Sequence, residues 1–301
     1  MTSGPAAATE RAQASLELVV PVRTELGEGP CWDRGRSVLW WVDITAGLVH
    51  RHDPGGVPDA IIDVRSPVGA VLHRRGGGLV VALADHLAAL DPDTGALEPL
   101  LDLETAGGLR SNDAKVDPAG RLWLGRMTAD AAPGAGTLVR IDPDRSVTLG
   151  LDGLTIPNGL DWSADGRTMY FVDSTWGEVR AYPYDPSTGS MGEGRPLVSL
   201  GGDGALPDGL TVDGEGFLWV AVWGGGCVVR VAPDGSVAGR VVLPASQVTS
   251  CAFGGPELDD LYVTTAREQF TAEDDAREPL AGGLFRCRPG VVGRASFAFA
   301  G

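Results

Sequence analysis

Short apolar segments alternate with Gly, Pro and Asp along the whole chain, and apolar residues at helical spacing are nearly absent. Six segments share one grammar: a short strand, a turn around Asp or Gly, a second strand, another turn, and a third strand. Residues 122–125 and 218–222 are examples of the second strand. Units of about 40 to 50 residues with three or four strands are typical of propeller blades. The pattern therefore predicts an all-β, six-bladed β-propeller. In an ordinary β-sandwich, a repeat that matches in six segments would be a coincidence.

Two further strand-like segments lie at the ends of the repeat, at residues 16–20 and 295–299. We expect both to close the ring by pairing within the last blade. Residues 1–15 are mostly small and polar, without the basic start and apolar core of a signal peptide. We interpret them as a flexible N-terminal tail, or else a short amphipathic helix, before a single propeller domain at residues 16–301. The expected location is cytoplasmic.

One position of the repeat carries most of the candidate chemistry. It lies four residues before the hydrophobic centre of each first strand, and in a propeller the first strands line the central channel. Residues in equal phase therefore form a ring around the axis, with two carboxylates and two carboxamides among them. A Gly follows the polar residue in Gly-Glu-Gly-Pro, Pro-Asn-Gly-Leu and Pro-Asp-Gly-Leu, which suits close backbone approach at a crowded centre. The six ring residues are Glu28, Val68, Asn112, Asn158, Asp208 and Thr249.

Carboxylate and amide oxygens that converge on an axis are costly to bury unless a positive charge neutralises them. A bound divalent cation would do so. Ligands that are all oxygen suit Ca²⁺, Mg²⁺ or Mn²⁺, with Zn²⁺ and Fe(II) as further candidates. The alternative is a hydrogen-bonded polar channel filled with water. The ring therefore predicts a central divalent-metal site.

Strand direction indicates which loops would cover this ring. Because the ring residues begin the first strands, the connections between second and third strands return to the same face. Two of these connections are long, at residues 128–135 and 267–281. Loops above a channel mouth are where substrate pockets form. For the second loop taken alone, an ordinary solvated insertion is the favoured interpretation. The first loop contains Asp130, and the second contains Arg267, Glu268 and Asp274.

Composition excludes several classes of protein. The 301 residues include 24 Lys plus Arg against 40 Asp plus Glu, a net charge of −16, which argues against a nucleic-acid partner. The single lysine, Lys115, lies in no GxxxxGK motif, so a P-loop is excluded. No apolar run approaches the roughly 18 residues of a membrane span, and no GxSxG motif supplies a serine nucleophile.

Cysteine, histidine and tryptophan positions add smaller expectations. No two cysteines form a CxxC pair, so we expect reduced thiols. His50 and His52 alternate on a predicted third strand, where a surface pair is favoured over a zinc site. Trp176 and Trp223 lie at turns on the ring face and are candidates to stack on a substrate ring, whereas the tryptophans within strands serve packing. The four cysteines are Cys31, Cys227, Cys251 and Cys287.

Five separated motifs run in order from about residue 18 to residue 301: LGEGPCW, SNDAKVDPAGRLW, IPNGLDWSADGR, LPDGLTVDGEGFLWVAVWGGG, and TSCAFGG with LYVTTAR. In these motifs the chain resembles the SMP-30/gluconolactonase/luciferin-regenerating family, which includes regucalcin. The resemblance implies a six-bladed propeller with one central divalent cation and, in many members, hydrolysis of sugar lactones. By motif, it makes Glu28, Asn158 and Asp208 the metal ligands. The identity of the cation among Ca, Zn, Mn, Mg and Fe(II) is left open.

The same resemblance implies substrate contacts at Arg110 and Asn112, within the string Arg-Ser-Asn-Asp. Family members often carry a Glu in the loop after a Gly-x-Met triplet. Here Asp130 is the nearest match, and its side chain is one methylene shorter. Asp208 is both a ligand and the candidate general base for the attacking water. The sequence thus predicts a metal-dependent hydrolase of small sugar lactones.

Two other functions are compatible with the same scaffold. One is a phosphotriesterase or aryl-esterase that uses the same metal, and the other is a non-catalytic metal-binding propeller that acts as a regulator. The polar pair Arg110 and Asn112 favours a hydroxylated substrate and therefore the lactonase. The sequence does not identify the sugar, the native metal or the oligomeric state.

Overall fold

Nearly all regular structure in the computed structural model, which describes residues 15–301, is antiparallel β-sheet. The N-terminal tail is predicted for residues 1–15. Residues 1–14 lie outside the described residues, and Ser15 is the first residue that the structure describes. The first strand along the chain is β1 (Glu17–Val20). Blade 1 contains β2 (Gly27–Asp33), β3 (Val38–Asp43), β4 (Leu48–His52) and β5 (Ala60–Asp63). Blade 2 contains β6 (Val68–His73), β7 (Leu79–Leu83), β8 (His86–Leu90) and β9 (Leu97–Asp102).

The other four blades follow the same order along the chain. Blade 3 contains β10 (Leu109–Val116), β11 (Leu122–Thr128), β12 (Gly136–Ile141) and β13 (Val147–Leu154). Blade 4 contains β14 (Pro157–Trp162), β15 (Thr168–Asp173), β16 (Glu178–Asp185), β17 (Ser190–Met191) and β18 (Arg195–Ser199). Blade 5 contains β19 (Leu206–Val212), β20 (Leu218–Trp223), β21 (Cys227–Val231) and β22 (Val237–Val242). Blade 6 contains β23 (Val248–Gly254), β24 (Asp260–Thr265), β25 (Leu284–Cys287) and β1.

Helical structure is confined to short connections. A helix α1 (Ala272–Arg277) lies between β24 and β25, and 3₁₀ turns occur at Ala106–Gly108 and Ser174–Trp176. Within residues 15–301, none of the helices combines the length and the apolar character that crossing a membrane requires.

The first strands of the six blades pack side by side, and β23 of the last blade packs against β2 of the first. The ring is therefore closed, which confirms the six-bladed propeller predicted from the repeat. The N-terminal strand β1 pairs with β25, with Glu17 opposite Arg286. As predicted, this segment completes the last blade, so that residues distant in sequence hold the ring together.

Burial along the strands explains the hydrophobic pattern. Second strands such as β3 (VLWWVD) and β7 (LVVAL) are buried at every position, because neighbouring blades cover both of their faces. The outermost strands β9 and β22 are largely exposed. Continuous apolar runs therefore mark the middle of each blade, and mixed sequences mark its rim.

The C-terminal segment does not follow the prediction. Residues 295–299 form no strand in blade 6, because β1 already occupies the free edge of β25. The tail instead crosses the face opposite the ring, where Phe299 forms a parallel bridge with Arg74 of blade 2. The amide of Phe299 donates to the carbonyl of His73 at 2.8 Å, and the amide of Arg75 donates to the carbonyl of Phe299 at 2.7 Å.

The prediction that His50 and His52 form a pair on the surface is also wrong, since both side chains are buried. The ring of His50 stacks on Trp41 with centroids 4.8 Å apart, and Nδ1 of His52 lies 2.8 Å from a carboxylate oxygen of Asp59. The ring of His52 also packs edge-on against Tyr262 of blade 6, a contact between blades that the local sequence pattern does not reveal. The four cysteines are free and buried, as expected.

Candidate active site

A cavity of about 460 Å³ opens at the face where the first strands begin. It brings together the three predicted metal ligands and the predicted substrate contacts Arg110, Asn112 and Asp130, although these residues come from four different blades. The connections between second and third strands overhang it, as the strand directions predict. The predicted residues that line the cavity are Glu28, Arg110, Asn112, Asp130, Asn158 and Asp208.

A β-bulge aims each ring residue toward the axis. In all six blades the register between first and second strand shifts at the ring residue or immediately after it; in blade 1 the shift lies between Glu28 and Cys31. Bulges turn a side chain out of the regular alternation of a strand. The Gly after Asp208 is required by space, because a Cβ on Gly209 would lie 2.1 Å from the Oγ of Ser250, and the Gly after Asn158 is equally crowded. This agrees with the close backbone approach expected from the sequence.

Glu28, Asn158 and Asp208 form the floor of the cavity, and only 5 or 6% of each residue is exposed. Burial, helped by the charge of Asp113, raises the pKa of Glu28 to about 8. Burial and then the charge of Glu28 raise the pKa of Asp208 well above its usual value. Two carboxylates that repel each other in a buried site favour a positive ion between them.

Two oxygens at this floor have no hydrogen-bond partner: Oδ1 of Asn158 and Oδ1 of Asp208. Nδ2 of Asn158 donates to the Oγ of Ser174 at 3.2 Å, which fixes the orientation of the carboxamide. Buried acceptors without a donor are rare, so this set of oxygens fits a divalent cation that prefers oxygen ligands. Within residues 15–301, no three Cys, His, Asp or Glu side chains are grouped as a metal site. A cation at this floor therefore needs the carboxamide as well as the two carboxylates.

Arg110 and Asn112 form the polar wall next to the floor. Nη1 of Arg110 donates to the carbonyl of Ser111 and to Oδ1 of Asn112, both at 2.9 Å. Nδ2 of Asn112 donates to the carbonyl of Pro157 in blade 4 at 2.9 Å. Arg110 forms no ion pair with Asp113 or Asp130, since its side chain turns along its own strand toward Asn112.

The loop at residues 267–281 differs from the ordinary insertion expected for it. Its residues Glu268 and Gln269 line the cavity beside Gln247, which the sequence interpretation missed. A signal was present, because Gln247 precedes its ring residue by two positions, as Arg110 precedes Asn112. The equivalent positions in blades 1, 4 and 5 also line the cavity, so this repeat phase forms a second ring above the floor. Its apolar members are Leu26, Ile156 and Leu206.

A smaller cavity of about 50 Å³ lies in the lower part of the channel, below the floor. Its charged lining residues include Asp113, Lys115 and Asp161, and the C-terminal tail contributes Arg294. Nζ of Lys115 donates to the carbonyl of Leu210 at 2.8 Å and lies 3.5 Å from Asp161. Burial raises the pKa of Asp113 to about 6. The tail thus covers the channel on the side away from the candidate site.

Comparison with known proteins gives one family for this chain. Residues 26–267 match the model of the SMP-30/Gluconolactonase/LRE-like region. A regucalcin from Xenopus laevis is 38% identical over 294 residues, which cover 95% of this chain and 98% of that protein. The pentonolactonase XacC from Haloferax volcanii is 38% identical over 289 residues, which cover 94% of this chain and 97% of that protein.

The solved structures agree with this assignment. A structure described as a calcium-binding protein, regucalcin, from Agrobacterium tumefaciens superposes with a TM-score of 0.90 at 31% identity. The match covers 95% of this chain and 97% of that chain.

Proposed function

The chain belongs to the SMP-30/gluconolactonase/LRE-like family, and we propose that it is a divalent-metal-dependent hydrolase that opens sugar lactones. The observation that carries the proposal is the pair of unpartnered buried oxygens, Oδ1 of Asn158 and Oδ1 of Asp208, at the floor of a polar-walled cavity. The activity in the name of the Haloferax relative supports the substrate class.

Glu28, Asn158 and Asp208 would hold the cation. When bound there, a divalent cation would supply a Lewis acid for the ester carbonyl and lower the pKa of a water molecule. Asp208 is the candidate to accept the proton of the attacking water, a role in which coordination to the cation would weaken it as a base. The shared floor of three blades keeps these side chains in fixed positions, so little reorganisation is needed before reaction.

Arg110 and Asn112 would orient the sugar. The guanidinium of Arg110 presents a rigid fork of donors to paired oxygens of a polyol or ring ester. Asn112 holds this fork in place while keeping one N–H and one lone pair for the substrate. A volume of about 460 Å³ accommodates a monosaccharide-sized ligand.

A second candidate substrate class is favoured by the apolar side chains of the cavity wall. These are contributed by blades 1, 4 and 5 and comprise Leu26, Ile44, Ile156, Leu206 and Trp223. An aryl leaving group would pack against such a wall, so an aryl ester or phosphotriester is the second candidate for the same metal site.

The test is a substrate panel on protein that has been stripped of metal and refilled with single divalent ions. Neutral aldonolactones, a phenyl ester and paraoxon are compared for each ion. Lactone hydrolysis that disappears with chelator and returns with metal supports the proposal. Paraoxon turnover above that of every lactone favours the aryl-ester candidate, and tight metal binding without any hydrolysis favours a regulatory propeller.

A matched pair of variants links that activity to the floor. Asp208→Asn removes one floor carboxylate, while Asp203→Asn makes the same change on an exposed turn of the preceding loop. Lactonase activity should be lost in the first variant and kept in the second. The proposal also includes a cytoplasmic location, supported by the four free cysteines, and no nucleic-acid partner, supported by the net charge of −16.

A further inference from the structure

We propose that Glu268 determines the specificity of this cavity, so that the protein accepts neutral lactones and rejects lactones that carry a carboxylate or a phosphate. The assignment rests on the proposed lactone hydrolysis and adds a residue from blade 6 to it. Glu268 lies in the loop between β24 and β25 and lines the cavity opposite the polar wall of blade 3.

The backbone of Glu268 is held by the side chain of Gln247. Nε2 of Gln247 donates to the carbonyl of Glu268 at 2.9 Å, and the amide of Glu268 donates to Oε1 of Gln247 at 2.7 Å. The amide of Ala266 also donates to the carbonyl of Gln247 at 2.9 Å. A side chain that satisfies both backbone groups of one residue leaves that residue little freedom.

The rest of the loop is anchored on both sides of this clamp. The amide of Arg267 donates to the carbonyl of Glu25, and its guanidinium makes two hydrogen bonds to the carboxylate of Asp275. Thr271 and Asp274 form a capping box that starts α1. These contacts make the loop an ordered part of the rim and hold the backbone of Glu268 in a fixed place at the cavity.

The charges around the cavity are unbalanced. Its lining contains four acids, Glu28, Asp130, Asp208 and Glu268, and one base, Arg110. A divalent cation would balance the two negative charges of the floor. The remaining charges of the lining are then the negative charges of Asp130 and Glu268 and the positive charge of Arg110. Glu268 is half-buried whereas Asp130 is exposed, so the charge of Glu268 is less screened by solvent and ions.

Arg110 would attract an anionic substrate, but Glu268 lines the same cavity and its charge opposes that attraction. The proximity of Arg110 opposes the rise that burial causes in the pKa of Glu268. An anionic group of a substrate in this cavity would meet the like charge of Glu268 in a partly desolvated site. Hydroxyl groups would instead donate to the same carboxylate. The pair therefore favours polyhydroxylated, uncharged lactones.

Two lactones that differ only at C6 test this directly. Glucono-1,4-lactone has a CH₂OH group there, and glucaro-1,4-lactone has a carboxylate. We expect Glu268→Gln to raise the ratio of kcat/KM for the anionic over the neutral lactone by about tenfold or more. Glu273→Gln, an equal charge change on an exposed residue of the same loop, should leave the ratio unchanged.

A second test uses Gln247, which acts as a positioning residue for Glu268. Gln247→Ala should raise the same ratio by a smaller factor, because the loop then holds the carboxylate less firmly. Added to Glu268→Gln it should change the ratio no further, since the group it positions is gone. A ratio that stays at the wild-type value in Glu268→Gln overturns the assignment, as does an equal rise in Glu273→Gln.

Binding of the corresponding lactams separates this inference from the proposed activity. The gluconolactam and its C6 acid resist hydrolysis, so calorimetry gives their affinity ratio for metal-loaded protein without turnover. A ratio that shifts toward the acid in Glu268→Gln supports the assignment even if wild type hydrolyses no lactone, in which case the proposed function alone fails. Lactam affinities with no charge preference in wild type contradict the assignment even if lactones are hydrolysed.

Discussion

Trp223 ends the second strand of blade 5 and Trp176 lies in the turn after the second strand of blade 4, but the two side chains have different surroundings. Trp223 lines the cavity, whereas the Trp176 ring packs edge-on against Phe171 with centroids 6.0 Å apart and lies beneath the guanidinium of Arg180. The sequence treats the two tryptophans as equal candidates for stacking on a sugar. The structure favours Trp223 for that role.

Trp223→Ala should therefore lower kcat/KM for the best lactone by about five- to fiftyfold, because a stacking surface of roughly 1–2 kcal/mol is lost. Trp176→Ala is the matched control and should stay within about twofold of wild type. Steady-state kinetics on both variants makes the comparison. Equal losses in the two variants would assign the effect to folding and not to substrate contact.

Removal of the polar wall should separate substrate binding from metal binding. Arg110→Ala should lower kcat/KM by roughly ten- to a thousandfold with metal content unchanged, since its guanidinium makes no contact with the three floor ligands that hold the cation. Asn112→Ala should show a similar kinetic loss and an unfolding free energy lower by about 1 kcal/mol, because its bond to Pro157 joins two blades. Metal analysis, kinetics and denaturant titration check these outcomes. An Asn112→Ala protein that is purified without metal would make Asn112 a fourth ligand.

The three floor residues should differ in how excess metal rescues them. Asp208→Ala removes a proposed ligand and the candidate base, so activity should fall by about two to four orders of magnitude without rescue. Glu28→Gln and Asn158→Ala should act mainly through weaker metal binding, and high metal should restore part of their activity. Activity measured against metal concentration distinguishes the two classes. Full activity of chelator-treated wild type would refute the metal mechanism.

Stability of the cation-free protein should fall as the pH rises from about 5 to 8. The folded-state pKa of Glu28 is about 8, above its ordinary value of 4.5, so in this window the folded protein binds a proton that the unfolded chain has released. This proton stabilises the fold fully below the ordinary pKa, and its contribution is lost as the pH approaches the folded value. Asp113, with a pKa of about 6, acts with the same sign over a narrower range.

Thermal melts in chelator across this pH range provide the measurement. Glu28→Gln should flatten the curve, because the group that loses the proton is gone, and a saturating divalent cation should flatten it in wild type. A melting temperature that is indifferent to pH, to chelator and to added cation would contradict a buried carboxylate pair that repels at the floor.

The C-terminal tail should contribute strongly to stability through one side chain. Phe299 is almost completely buried and packs in a cluster of residues from blades 2 and 3. Phe299→Ala should lower the free energy of unfolding by about 3–5 kcal/mol, whereas the half-buried Phe297 should lose less on the same change. Denaturant titration of both variants checks the difference, and equal small losses would mean that the tail is not part of the core.

Most of the fold was predictable from the sequence because blades repeat. Strand period and turn residues are local properties, and equal phase in six units places Glu28, Asn158 and Asp208 at one level around an axis. The bulge at each ring residue and the Gly that follows Glu28, Asn158 and Asp208 are features of the same repeat, and they aim these side chains inward. The floor of the candidate site therefore follows from the pattern together with the closed ring.

Contacts between segments that are distant in sequence determined the features of the fold and of the site that the repeat does not predict. The Gln247–Glu268 clamp depends on the course of a long loop, the burial of His50 and His52 depends on the packing around β4, and the place of Phe299 depends on the absence of a free edge in blade 6. A local pattern does not specify such contacts, because they form only once the ring has closed and each loop and terminus has met what surrounds it. The sequence by itself thus determined the ring of candidate ligands, and only the tertiary structure determined which residues form its rim and cover its far side.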